Sequence, residues 1–346
     1  MNLENKNILI IYQPWGWGNY ENTLIYPMLD ELKTKGANVE LLDLRNPPHF
    51  NSLNILHKLG NLYYRNFKKD DNYYFYQEIN HFGKYYLKKA IFLKKDSYDY
   101  TLVIRPDLYS KTFLSFLRKK SKKMVGYMWD GISDRESNYL LRTRDLFTDI
   151  YVFNKEDIDK YKKLRLKFTT NFYYSTASTK QEDNEVELIY IGGIYINRKD
   201  LIAYNFFKKI TDDFQIITFM DKGYLNDNKL INDSRVEYVY QHIPYLDTLE
   251  MVKKGHVILD ICREDHKGLS FRFFESISLQ KKIITNNKDV VNYDFYNPNN
   301  VLIVNFDESD NIEEITDFLS VPYKDLEIKL IEKYYFINWF INLFKS

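Results

Sequence analysis

The chain has 346 residues, room for two domains at about 150 residues each, and its 45% hydrophobic and 17% aromatic content excludes disorder as a global description. Forty-nine basic against 48 acidic side chains leave a net charge of +1, so no strong overall field favours nucleic acid or an acidic membrane. The one cysteine, Cys262, excludes an intrachain disulfide framework and any multi-cysteine metal site, and makes a reducing cytoplasm the expected compartment.

Residues 7–12 (NILIIY) form a short, nearly continuous apolar run that suits a buried parallel strand. A turn-rich loop over 13–20, a helical pattern over 21–35 stopped by Gly36, and a strand over 39–44 (VELLDL) complete a βαβ unit. Residues 47–95 are crowded with Tyr, Phe, Asn and Lys and read as one or two helices with an aromatic face. Strands follow at 100–106, 124–130 and 148–154, with a helix after the first of them. In the segment 175–185 (STASTKQEDNE) Ala177 is the one apolar residue, too little to bury a core face, so the domain junction is expected there. Beyond it the alternation restarts with VELIYIGG, FQIITFM, RVEYVY, HVILDI, KKIITNN and NVLIVNF as strands. The expected fold is therefore α/β, with Rossmann-like domains over 1–175 and 186–325. Residues 326–344 are apolar nearly all round in YYFINWFINLF, which fits either a buried helix or one lying at a membrane interface.

Common chemical signatures fail on inspection. Gly16-Trp17-Gly18 opens a G-x-G-x-x-E run in which Glu21 replaces the small third residue of a dinucleotide fingerprint, so NAD binding is not expected. Asp157 and Asp159 form the lone D-x-D, but behind Asn154 they suit a helix N-terminus better than a metal. The six histidines, 49, 57, 81, 242, 256 and 266, lack zinc-site spacing. Neither a metal nor another cofactor is expected.

The informative stretch is 257–287, VILDICREDHKGLSFRFFESISLQKKIITNN, read as strand, loop, helix, strand. Gly268 permits an unusual backbone conformation before the helix, and the amides of Leu269 and Ser270 then favour a phosphate or diphosphate. Ser270 adds a hydroxyl or caps the helix. Glu275 lies on an otherwise core-facing helix, where a carboxylate needs partners. Two ribose hydroxyls would meet that need; so would Arg272, in an ion pair at i, i+3. Both readings stand at this point.

This stretch resembles the nucleotide-sugar signature of GT-B glycosyltransferases, especially the group 1-like bacterial enzymes of surface-polysaccharide assembly. Gly268-Leu269-Ser270-Phe271-Arg272-Phe273-Phe274-Glu275 is similar to their G-x-S-x-R-x-x-E-like helix, and residues 280–286 to the strand that follows. The resemblance implies two Rossmann-like domains facing across a cleft, with a C-terminal helix (326–346) crossing back to the N-terminal domain. It also implies that Glu275 holds the donor ribose, that Gly268, Leu269 and Ser270 meet the diphosphate within the motif that includes Arg272, and that Gly193 and Arg198 begin the donor domain with a glycine loop and a basic contact. An exposed arginine at a helix start is the other reading of Arg198. Lys267 departs from the pattern, since retaining members commonly carry an acid there; Glu264, Asp265 and His266 lie just upstream and are the substitutes available.

In the N-terminal half Asp130 ends a strand in YMWDGISDR and Asp107 another in VIRPDLY. Either suits a general base for an acceptor hydroxyl if burial raises its pKa, and either also suits a cap. The expected activity is metal-independent transfer of a sugar from a nucleotide-sugar donor to a hydroxyl of a capsule or lipopolysaccharide glycan, free or lipid-linked, with no nucleic-acid partner. The alternatives are another GT-B activity, such as an epimerase or phosphorylase, and a catalytically silent binding subunit of an assembly complex. Basic clusters at Lys68-Lys69, Lys88-Lys89 with Lys94-Lys95, and 118–123 make peripheral contact with the inner face of the cell membrane a further expectation.

Overall fold

The computed structural model describes residues 2–14, 24–52, 54–175, 185–193, 198–220, 230–241, 243–262, 267–306 and 312–345. The glycine–tryptophan loop and Glu264, Asp265 and His266 lie outside them. The chain divides into two compact units: Met1–Trp15, Leu29–Thr169 and Ile341–Ser346 in one, Gly16–Met28 and Thr170–Phe340 in the other. Thr170 to Tyr174 count with the second unit, ahead of the polar segment expected to be the junction, because Phe172 packs on Trp339 at 4.3 Å and the Trp339 indole N–H donates to the Thr170 carbonyl at 2.8 Å.

The first unit holds β1 (Asn7–Tyr12), α1 (Ile25–Thr34), β2 (Asn38–Asp43), α2 (Ile55–Tyr63), α3 (Tyr73–Ala90), β3 (Tyr98–Ile104), α4 (Lys111–Lys120), β4 (Ser121–Met128), α5 (Asp134–Leu140), β5 (Asp149–Val152), α6 (Glu156–Lys160) and β6 (Lys167–Phe168). All pairings are parallel, in the order β2-β1-β3-β4-β5-β6. The order reverses between β1 and β3, and in such sheets ligands bind outside the strand C-termini at that switch point. Leu9, Ile11, Val103, Met124 and Ile150 supply one buried face, closed by Tyr86, Phe113 and Leu117 from α3 and α4.

The second unit continues with β7 (Val186–Gly193), α7 (Lys199–Ile210), β8 (Phe214–Phe219), β9 (Val236–Val239), α8 (Tyr245–Lys253), β10 (Gly255–Asp260), α9 (Phe271–Leu279), β11 (Lys282–Thr285), β12 (Val301–Ile303), α10 (Ile312–Ser320), α11 (Ile328–Tyr334) and α12 (Phe336–Leu343). Its sheet is again all parallel, in the order β12-β11-β10-β7-β8-β9. This is the Rossmann order, with the switch point between β7 and β10. Strand alternation divides the core: Leu188 and Tyr190 pack beneath α7, while Ile189 and Ile191 face Phe273, Phe274 and Ile277 of α9.

The C-terminal segment breaks into α11 and α12, and Phe336, Trp339, Phe340, Leu343 and Phe344 are buried. Its end belongs to the first unit, where Lys123 donates to the Phe344 carbonyl at 2.8 Å and Tyr100 packs on the Phe344 ring at 4.9 Å. The apolar residues of α12 are thus covered by protein, as the buried-helix reading requires, while Ile328 at the start of α11 is exposed. Among the described residues no helix is long and apolar enough to cross a membrane.

Candidate functional site

The C-terminal ends of β7 and β10 carry the second unit's candidate residues. β10 ends on Asp260, whose side chain is buried and accepts from Ser270 Oγ at 2.7 Å and from Thr285 Oγ1 at 3.0 Å. Ser270 is the N-cap of α9, accepting the Arg272 amide at 3.2 Å. One carboxylate thus fixes the helix start to the ends of two strands. Asn287 extends the network, donating its backbone N–H to the Thr285 hydroxyl oxygen at 3.0 Å and its side-chain amide to the Lys267 carbonyl at 3.3 Å.

The surroundings of Gly268 and Leu269 differ from expectation. Among the described glycines Gly36 has a positive φ and Gly268 does not, so Gly268 contributes a missing side chain at a buried position and no left-handed turn. Leu269 is 1% exposed, its side chain in the core beside Phe273. Its carbonyl takes the Asn171 side-chain amide at 2.9 Å.

Of the two sequence readings of Glu275, the ion pair with Arg272 is present. Glu275 is 1% exposed, and its Oε2 is paired with Arg272 Nη1 one turn earlier on α9. Its other oxygen, Oε1, is buried with no hydrogen-bond partner. The Tyr245 hydroxyl, also buried without a good hydrogen bond, is near enough to feel the charge: burial first, then Glu275, pushes its pKa well above the ordinary phenol value. Burial alone would lower the Arg272 pKa; Glu275, Tyr245 and Asp260 outweigh it and raise it. A carboxylate oxygen left unpaired in the core is costly, and a hydroxyl donor would satisfy it.

Arg198 is not an exposed helix-start arginine. It sits in a left-handed conformation (φ 46°) at the start of α7 and grips the fully buried Asp200 through two bonds of 3.0 and 2.9 Å. Gly193 ends β7, and before it Gly192 lies so close to Tyr190 that a Cβ there would stand 2.4 Å from the phenol oxygen. Tyr190 is buried under the charges of Asp260, Asp200 and Arg272, linking the β7 and β10 ends electrostatically.

In the first unit Asp107 and Asp130 prove to share one partner. Arg105, in a left-handed conformation (φ 54°) just after β3, holds Asp107 with bonds of 2.9 and 2.7 Å and reaches Asp130 with its remaining nitrogen at 2.6 Å. Asp107 is fully buried; burial raises its pKa against the lowering pull of Arg105. Asp130 is half-exposed, after Trp129 at the end of β4. Trp129 packs edge-on against Tyr12 of β1 at 5.4 Å, and burial with the Asp130 charge pushes the Tyr12 phenol up to about 12. Arg105, Asp130 and Tyr12 therefore cluster at the β1–β3 switch point, with Asp130 the accessible acid.

Asp157 is buried, accepts weakly from the Ile132 amide and Asn154, and its pKa is raised to about 6 by burial. Among the described residues no cluster of three or more His, Cys, Asp or Glu is arranged to hold a metal. Reading the sequence alone missed Asp260, Thr285, Tyr245 and Arg105; the one available signal was an acid or hydroxyl closing a buried strand, as in VILD and KIIT.

No protein-family profile matches the chain, and no curated protein matches it. Solved structures do. A trehalose-6-phosphate synthase structure superposes with a TM-score of 0.56 at 12% identity, covering 98% of this chain and 99% of that one. The apo form of the lipopolysaccharide outer core galactosyltransferase WaaB gives 0.52 at 14% identity, covering 97% of each. Anabaena Alr3699/HepE in complex with UDP-glucose gives 0.51 at 10% identity, covering 98% of each. At these identities the likeness establishes the fold: two all-parallel Rossmann-like sheets of the GT-B type, as inferred from the sequence.

Proposed function

We propose that the protein is a glycosyltransferase that moves a sugar from a nucleotide-sugar donor to a hydroxyl of a surface glycan, capsule or lipopolysaccharide, in the cytoplasm. The observation carrying this reading is Glu275: a buried carboxylate at the Rossmann switch point with one oxygen paired to Arg272 and the other unpaired. A ribose diol supplies two adjacent donors, which suit a buried carboxylate oxygen that has only the Tyr245 hydroxyl nearby. Donor binding turns Glu275 toward the ribose and frees Arg272 for the diphosphate, which the Ser270 end of α9 also favours. The similar structures whose descriptions name UDP-glucose or glycosyl transfer support this choice of donor class.

Asp130 is the acceptor-side base in this reading. It takes the proton of the acceptor hydroxyl as that oxygen bonds the donor's anomeric carbon, and the bond from that carbon to phosphate breaks. The leaving nucleotide's charge is met by the α9 N-terminus, Arg272 and Arg198 rather than by a metal. Asp107, sealed beneath Arg105, positions that arginine and is not the base.

The test is mass-spectrometric product detection with a panel of UDP-, GDP-, ADP- and CMP-sugars and a hydroxyl acceptor, with and without EDTA. Transfer that survives EDTA supports the reading in full. Transfer abolished by EDTA rejects metal independence. Donor binding without turnover of any donor indicates a silent binding subunit.

A further inference from the structure

α2 has no buried residue, although its sequence is largely apolar. Ile55, Leu56, Leu59, Leu62, Tyr63 and, in the π-helical turn that follows, Phe67 are all between 49% and 76% exposed. On a helical wheel the five from α2 span an arc of about 120°. The helix is fastened by its other side: His57 Nδ1 lies 3.2 Å from the Tyr73 hydroxyl of α3, and the Tyr64 and Tyr73 rings pack at 5.1 Å. The apolar arc therefore faces away from the body that holds it.

The charges beside the arc are of one sign. Residues 51–69 contain Lys58, Arg65, Lys68 and Lys69 and no acid. Of the two acids that follow, Asp70 pairs with Arg142 of the body at 3.7 Å and Asp71 with Arg65 at 3.1 Å, which leaves Lys58, Lys68 and Lys69 as the cations beside the arc. The turn after α3 repeats the pattern on a smaller scale: exposed Ile91 and Phe92 lie between Lys88-Lys89 and Lys94-Lys95. An apolar stripe flanked by cations, on a helix anchored from behind, has the chemistry of an interfacial helix.

We infer that α2 and the turn to Lys69 dock the first unit onto an anionic phospholipid surface, the apolar arc entering the acyl boundary and Lys58, Lys68 and Lys69 meeting headgroup phosphates. Paired lysines near such a surface act together, and a basic patch with inserted apolar side chains gives the two signals that stable peripheral binding needs. The inference stands apart from the donor-site reading, since it uses none of the same residues.

The experiment is co-sedimentation of the full chain with vesicles of phosphatidylcholine alone and of phosphatidylcholine mixed with phosphatidylglycerol. Wild type should bind the mixed vesicles and not the neutral ones. Replacing Lys68→Glu and Lys69→Glu together should weaken partitioning by at least about 30-fold, and Leu59→Ser with Leu62→Ser and Phe67→Ser should abolish it. All these side chains are exposed, so unchanged thermal unfolding checks that the variants fold. Equal binding to both vesicle types, or variants that bind as wild type, would overturn the inference. So would a wild-type dimer in sedimentation velocity that becomes monomeric in the Leu59/Leu62/Phe67 variant without vesicle binding, which would make the stripe a self-association surface.

Discussion

Ser270 gives its hydroxyl proton to Asp260 at 2.7 Å and takes the Arg272 amide at 3.2 Å, so the first turn of α9 is tied to the end of β10 through one side chain. Because Arg272 and Glu275 sit on that same helix, Asp260 sets where the buried ion pair lies relative to the switch point.

Asp260→Ala should leave Ser270 and Thr285 without their shared acceptor. A loss of about 1–3 kcal/mol in urea unfolding is expected, together with weaker nucleotide binding in a titration of the folded variant. Binding unchanged from wild type would show that the helix start holds its place without this carboxylate.

Removing one member of the Arg272–Glu275 pair strands the other in the core. Arg272→Gln is expected to cost about 3–5 kcal/mol. The double change Arg272→Met with Glu275→Leu should cost less than the single one, because no unpaired charge remains. A double-mutant cycle by denaturant unfolding measures the difference.

The two acids on Arg105 should separate stability from turnover. Asp107→Ala, which empties a fully buried partner position, is expected to destabilise by about 3 kcal/mol or more. Asp130→Asn should leave stability within about 0.5 kcal/mol of wild type and lower kcat by about 10²-fold or more if Asp130 is the acceptor-side base.

Asp157 gives a pH dependence of known sign. Its folded pKa is raised to about 6, above the unfolded carboxylate, so between about pH 4 and 6 the folded state binds more protons and stability falls as pH rises. Discounted for partial solvation, the fall attributable to this group is about 1–2 kcal/mol. Asp157→Asn should flatten that part of the curve, which thermal unfolding across this pH range would reveal.

Much of the fold was legible because each strand is a short apolar run between turn signals; NILIIY, VELIYIGG and HVILDI appear in the structure nearly as read. The short β6 escaped because Lys167 and Phe168 make no pattern by themselves. Glu275 and Arg272 were legible as a pair since i, i+3 spacing is local, but the unpaired Oε1 depends on how α9 packs beneath the sheet. Asp260 escaped for a like reason: its partners are 10 and 25 positions away, brought near only by parallel pairing of β10 with β11. Residues 47–95 read only as helices with an aromatic face, and it takes the contacts of the opposite side of α2 with Tyr73 to reveal which way its apolar stripe points.

The most direct test of the donor site is thermal unfolding of wild type and Glu275→Ala with UDP, GDP, ADP, CMP and their sugar conjugates. Ligand at about 100 times its dissociation constant should stabilise wild type by about 2.7 kcal/mol, several degrees for a domain of this size. The predicted result is that one nucleotide class shifts wild type and leaves Glu275→Ala unmoved. A shift of equal size in both proteins would remove Glu275 from the ribose, and no shift in either would contradict the nucleotide-sugar site itself.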